Sequence, residues 1–272
     1  MVERNVLTLK TLQITSRDNA RFKQALKLQK SKGRREQGRF LIEGAKLIKA
    51  ALAANVKLAE LYLEENVAAE YVESFSHVVQ SIYILPQNLI KELSQTTTPQ
   101  GVIAVLEIPP EADRAPYLQQ ERGTYLLLDG LQDPGNLGTI IRTAAAMEAT
   151  AIFLGHGSVD WLNEKVIRAA AGALWQLPIF YSRIDNLLYE LRMQKITILS
   201  SDVAEGKVLS SYKFPAKIAL IFGNEGQGVS DNLHYETDEV LHLPLGKNIE
   251  SLNVSIAAAM FLYERNRQNI VG

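Results

Sequence analysis

Apolar positions along this chain fall into two rhythms. Short, nearly continuous runs recur as FLIEG, LAELYLEE, IYILP and GVIAVLEI, then as TYLLLDG, AIFLG, ITILSSD, KIALIFG and EVLHLPL. Runs of this length, bounded by turn residues or charge, predict strands. Between them the spacing becomes helical. SRDNARFKQALKLQKS, residues 16–31, predicts a helix capped by Ser16 or Asp18, with Phe22, Ala25, Leu26 and Leu28 as a partial apolar stripe. AKLIKAALAAN, NLIKELSQ, residues 139–148, NEKVIRAAAGALW and RIDNLLYELRMQK follow. A long last helix is expected from about Ser251 to Gln268, with Ile256, Ala257, Met260 and Phe261 on its buried face. KGRREQGR reads as a glycine-punctuated basic loop. Strands alternating with helices predict an α/β fold.

The alternation breaks once. EIPPEADRAPYLQQERG, from Glu107 to Gly123, holds three prolines, many charges and little periodicity. It divides the chain into an expected first domain at 1–110 and a second at 120–272. Cysteine is absent, which removes disulfides, thiolate zinc sites and cysteine nucleophiles. The four histidines lack ligand spacing, so no metal is expected. No apolar run is long enough to predict a membrane span. The opening MVERNVLTLKTLQITSRDNARF lacks the apolar core of a secretory leader, and a cytoplasmic protein is expected.

A net charge of −1 conceals a segregation. Arg17 to Lys49 holds eleven Lys/Arg against three acids, a net +8, which leaves −9 elsewhere. Such a segment predicts a polyanion-binding face, with Arg17, Arg21, Lys23, Lys32, Arg34, Arg35 and Arg39 as candidate RNA contacts.

Neither a Gly-x-Gly-x-x-Gly after a strand nor a P-loop occurs, so the usual dinucleotide and nucleotide readings fail. Three other stretches follow expected strands, where open α/β sheets bind ligands. LLLDGLQDPGNLGTIIRTAAA carries Asn136 and places Arg142 in the expected first turn of a helix, an end that prefers anions. An ion pair with Glu225 or a bound phosphate would each explain that cation. IALIFGNEGQGVS packs three glycines around Glu225. LHLPLGKNIESLNVSIAAAMF offers Ser251 as a helix cap with Asn253 in the first turn.

Together the three stretches resemble motifs 1, 2 and 3 of the SpoU-type RNA 2′-O-ribose methyltransferases of the SPOUT class. They read Asn136-x-Gly138-x-x-x-Arg142, Gly223-Asn224-Glu225-Gly226-x-Gly228, and Leu243-Pro244-Leu245-Gly246 with Glu250-Ser251-Leu252-Asn253-Val254-Ser255. The first domain is similar, more loosely, to the small α/β RNA-binding domain that precedes this catalytic domain in many relatives. The resemblance implies a SPOUT-type α/β domain with a deep trefoil knot, S-adenosylmethionine as cofactor and a homodimer. It implies Gly223, Leu243 and Leu252 as the cofactor pocket, and Arg142, Asn136, Glu225, Ser251 and Asn253 as the catalytic set. The added first domain points to ribosomal RNA, most of all 23S; a tRNA-directed enzyme and a catalytically inactive RNA-binding protein are the alternatives.

Overall fold

The extended runs assemble into two sheets in the computed structural model, which describes residues 10–203 and 205–271. The described residues form two compact units, one within Met1–Pro110 with Leu162–Ile167, the other within Glu111–Trp161 with Arg168–Gly272. No helix among them is long and apolar enough to cross a membrane.

The first unit contains β1 (Lys10–Gln13), α1 (Ala20–Lys27), α2 (Ser31–Gln37), β2 (Arg39–Glu43), α3 (Ala45–Ala53), β3 (Leu58–Glu64), α4 (Ala68–Phe75), β4 (Ser81–Leu85), α5 (Gln87–Leu93) and β5 (Val102–Glu107). Its five-stranded sheet runs β1-β4-β3-β5-β2, with β5 antiparallel to both neighbours. Phe22, Ala25 and Leu28 bury the inner face of α1 against Leu41, Tyr62, Tyr83 and Val105. The cap of α1 is Asn19, whose side chain accepts from the backbone N–H of Arg21 and Phe22, rather than Ser16 or Asp18. The expected basic loop KGRREQGR is largely helical, as α2, and ends on Gly38 at φ 61°. A side chain on Gly33 would collide with the Lys27 carbonyl at 2.0 Å, so this glycine permits close packing of α2 against the end of α1 instead of breaking the helix.

The second unit contains α6 (Ala115–Leu118), β6 (Gly123–Leu128), α7 (Pro134–Ala146), β7 (Ala151–Leu154), the last residues of α8 (Glu164–Ala170), whose residues through Ile167 group with the first unit, β8 (Ile179–Tyr181), α9 (Ile184–Met193), β9 (Thr197–Asp202), β10 (Lys207–Val208), β11 (Lys217–Phe222), α10 (Asp231–His234), β12 (Glu239–His242) and α11 (Val254–Val271). The helix expected over NEKVIRAAAGALW stops at Ala170, because Ala171 and Gly172 take positive φ. All paired strands of the seven-stranded sheet β10-β12-β9-β11-β6-β7-β8 are parallel. β6 and β7 are buried along their whole length, which explains why TYLLL and AIFL are continuous apolar runs without alternation.

Strand order positions the site. β11 lies between β9 and β6, and Phe222 pairs with Leu128 at the carboxyl end. The loops leaving β6 and β11 therefore start side by side at the edge where such sheets bind ligands.

Candidate active site

The loop after β6 is fastened to the loop after β11 by its backbone. Asp129 N–H donates to the Phe222 carbonyl at 2.9 Å, Ser230 N–H to Asp129 Oδ2 at 3.1 Å, and Asn224 Nδ2 to the Gly130 carbonyl at 2.9 Å. Within the second loop, Asn224 and Gly228 exchange two backbone hydrogen bonds of 2.9 Å. Gly223 is obligatory there: a Cβ would lie 1.9 Å from the Gly228 carbonyl group.

Helix α7 begins earlier than expected. Asp133 caps it by accepting from Asn136 N–H at 2.8 Å, and Pro134 occupies the first turn, where it lacks no useful donor. Arg142 consequently stands in the third turn, outside the reach of the N-terminal dipole, so the expected electrostatic conflict does not arise. Its exposed side chain forms no ion pair among the described residues.

The anion at that helix end is Glu225. Its carboxylate accepts from Asp133 N–H at 3.0 Å, Gln132 N–H at 3.3 Å and Asn136 Nδ2 at 3.1 Å, and it makes no pair with Arg142. Burial pushes the Glu225 carboxyl up, but hydrogen bonds from the Asn136 amide and from the backbone of Glu225, Asp133 and Gln132 outweigh it. The net position is below the ordinary 4.5.

The third stretch joins through Asn253. Its Nδ2 donates to Asn136 Oδ1 at 2.9 Å, while its Oδ1 accepts from Ser255 N–H at 2.9 Å and from Ser255 Oγ at 2.6 Å. Asn253, not Ser251, is the cap of α11, and its carbonyl takes the first helical hydrogen bond, from Ala257 at 3.0 Å. The polarity of the whole chain is determined. An ionised carboxylate only accepts and a backbone N–H only donates, so both asparagine amides have one orientation that satisfies Glu225 at one end and Ser255 at the other.

These loops border a cavity of about 860 Å³. Gly223, Leu243 and Leu252 line it together, as do Glu225, Ser251 and Asn253. Phe222, Val229, Leu245, Ala257 and Phe261 add apolar wall. Asn136 stands behind Glu225 and Asn253 without lining the cavity, and Arg142 lies further along α7, on the exposed stripe it shares with Thr139 and Ala146.

In the first unit the charge segregation is partly undone. Arg17 pairs with Glu92, Lys23 with Asp18, Lys32 with Glu36, and both Arg21 and Arg39 with Glu60. Glu60 and Glu92 lie outside the basic segment, so linear counting missed them. Arg34 is only 4% exposed and donates to the Leu28 and Gln29 carbonyls after α1, which removes it from the surface contacts expected of it. Arg35 is exposed and forms no ion pair among the described residues.

Residues 123–263, just over half of the chain, match the model of the SpoU rRNA Methylase family. The chain belongs to this family. The resemblance carried by the three motifs is thereby borne out. Residues 19–104 match the MRM3-like substrate binding domain. The SpoU chain is similar to the 23S rRNA (guanosine(2553)-2′-O)-methyltransferase RlmP of Bacillus subtilis, 34% identical over 251 residues that cover 92% of this chain and 98% of RlmP. It resembles the crystal structure of the AdoMet-bound rRNA methyltransferase from Sinorhizobium meliloti, with a TM-score of 0.85, 26% identity and coverage of 96% and 99%. It also resembles the SpoU methyltransferase AviRb from Streptomyces viridochromogenes in complex with AdoMet, with a TM-score of 0.83, 26% identity and coverage of 93% and 99%.

Sequence reasoning on this SpoU chain missed Asp133, Asn224 and Ser255, whose partners lie across loops or inside a cap. Asp133 had a readable signal, because Asp followed by Pro is a helix start.

Proposed function

We propose that this chain transfers a methyl group from S-adenosylmethionine to a ribose 2′-hydroxyl of ribosomal RNA, most specifically 23S rRNA. The observation that carries the reading is the Glu225–Asn136–Asn253 hydrogen-bond chain, which ties three distant motifs to the rim of one cavity. The SpoU family and the relatives' printed activities support it.

The cavity fits the cofactor. Its volume lies in the range of small-molecule sites, and its lining combines apolar residues with the 223–228 loop. Gly223 lets the loop close on Gly228 at the cavity edge, while Leu243 and Leu252 in the cavity lining would grip a flat heterocycle. When bound, S-adenosylmethionine supplies an activated sulfonium methyl group.

Glu225 is a poor general base, since its oxygens already receive three hydrogen bonds that hold it ionised. Its role is to set the loop after β6 and the amide of Asn136. Asn253, oriented by Asn136 and Ser255, presents its backbone at the cavity wall, with Ser251 beside it as a hydroxyl contact. Arg142 stays cationic, since guanidinium keeps its proton far above neutrality. Without an ion-pair partner among the described residues, it grips the phosphate beside the target ribose and stabilises alkoxide character as the hydroxyl attacks.

The protein is a homodimer working in the cytoplasm. Ile256, Met260 and Tyr263 form an exposed apolar stripe on α11, at 51%, 45% and 59% exposure, which a second copy would cover. The trefoil knot rests on the SPOUT resemblance of the three motifs. Residues 1–110 serve as the RNA substrate domain and 120–272 as the catalytic domain.

Transfer of labelled methyl from S-adenosylmethionine to unmodified 23S rRNA, with mapping of the modified ribose, tests the reading. Incorporation at one 2′-oxygen is expected. Calorimetry without any heat of S-adenosylmethionine binding, or methyl transfer only to tRNA, overturns it.

A further inference from the structure

One carboxylate in the first unit is built into the sheet and serves two arginines. Glu60 is 9% exposed, and it sits on β3 where the pairing with β5 shifts register between Leu58 and Glu60. Such an irregularity re-aims the side chain that follows it. Tyr62, two residues on, donates its phenol proton to Glu60 Oε2 at 2.7 Å. Burial first, and the Glu60 charge second, push the Tyr62 phenol up, so it remains a donor at all working pH.

The other oxygen, Oε1, receives Nη1 of Arg21 and Nη1 of Arg39, each at 3.5 Å. Arg21 comes from the first turn of α1 and Arg39 from the first residue of β2. Their side chains remain 55% and 35% exposed, against 11% for Glu60. Each guanidinium has five N–H donors and uses one on the carboxylate. Two cations on one anion leave a net positive charge, with four further N–H donors on each guanidinium. A carboxylate meant only to neutralise surface charge has no need of burial, a register shift and a phenol anchor.

We propose that Arg21 and Arg39, fixed in mutual position by the Glu60–Tyr62 pair, form a clamp for one backbone phosphate of the RNA substrate. The clamp rests on the RNA-methyltransferase reading. It adds to that reading a specific phosphate contact and a positioning residue, Glu60, of the same sign as the ligand. Glu60 holds the two forks together at their near edges, so that a single phosphodiester takes their outer donors in bidentate fashion.

The sign of one substitution separates positioning from simple charge balance. Glu60→Gln keeps an acceptor for Tyr62 and raises the net charge by one. If Glu60 merely neutralises, binding of protein-free 23S rRNA transcript tightens. The clamp predicts the reverse: affinity falls about 3- to 10-fold, KM for RNA rises by the same factor, and kcat at saturating RNA is unchanged. Arg21→Ala and Arg39→Ala each lower affinity and reduce the salt slope by about one, while the double variant loses less than the product of the two. Arg21→Lys with Arg39→Lys preserves charge and fold, and is expected to lose affinity with the salt slope retained. Circular dichroism and the heat of S-adenosylmethionine binding verify that each variant is folded. Unchanged or tighter binding by folded Glu60→Gln, or wild-type binding by the double lysine variant, overturns the clamp. Both are read in a wild-type protein that methylates the transcript; absence of that methylation sinks the enzyme reading instead.

Discussion

Asn253 Nδ2 donates to Asn136 Oδ1 at 2.9 Å, across 117 positions of sequence. This one bond couples the start of α11 to the start of α7, and Glu225 completes the line from the far side. Asn253→Asp places a second acceptor against Asn136 Oδ1 while still capping α11. Its stability is expected to change by less than about 1 kcal/mol, because the cap survives. Its kcat is expected to fall about 100-fold through misplacement of the loop. Thermal melts and single-turnover methyl transfer on the same preparation separate the two effects.

Gly223→Ala tests the edge of the cavity. Its Cβ would stand 1.9 Å from backbone atoms of Gly228, which cannot yield as a flexible side chain would. A loss of roughly 2–4 kcal/mol is expected, together with at least about a tenfold loss in S-adenosylmethionine affinity, read by denaturant unfolding and calorimetry. Gly226→Ala is the control, since its Cβ would meet only Asn224 Oδ1 at 3.5 Å.

Glu225 ties the site to pH. Its folded carboxyl lies below the ordinary 4.5, so its contribution to stability is present above that value and is lost as pH falls through the lower, folded one. In Glu225→Gln the unfolding free energy measured from pH 6 down to pH 3 is expected to be flatter than in the wild type. The difference is small, below about 1 kcal/mol, because the group is exposed to solvent screening. An equally steep profile in the variant assigns the acid sensitivity to other carboxylates.

Arg142→Lys keeps the charge and loses the planar fork. A fall of about 10²–10³ in kcat with S-adenosylmethionine affinity unchanged is the expected result. The residual rate should keep the wild-type pH dependence between 6 and 9, since no arginine proton is exchanged in that range. A lysine variant whose rate climbs with pH while the wild type is flat would make residue 142 the base.

Met260→Glu tests the outward face of α11. A charge at the centre of the Ile256–Met260–Tyr263 stripe is expected to convert a dimer to a monomer in sedimentation at micromolar concentration. Melting of the monomer should remain cooperative, because the buried face of the helix, Ala258, Phe261 and Leu262, is untouched.

Much of this was legible in the residues. Continuous apolar runs marked the strands, and glycine-rich turns after them marked loops that line the cavity. Errors arose where a short-range rule met a long-range partner. A helix is expected over 139–148, yet Asp133 caps α7 and starts it at Pro134, with Glu225 bound at that end. Ile256 and Met260 read as core, yet the helix turns Ala258, Phe261 and Leu262 inward. Arg34 read as a surface cation, yet it is buried against the carbonyls after α1.

Sequence alone determined the α/β class, the three motif stretches and the family they resemble, since periodicity, turn residues and spacing are local properties of a chain. Tertiary structure decided which acid faces which cation and which amide faces which carboxylate. Glu225 accepts from Asp133 N–H and the Asn136 amide at the start of α7 instead of pairing with Arg142, and Glu60 holds Arg21 and Arg39 from a strand away. Those choices depend on distances between residues far apart in the chain. They are set only when β11 lies beside β6, and when β3 passes beneath α1.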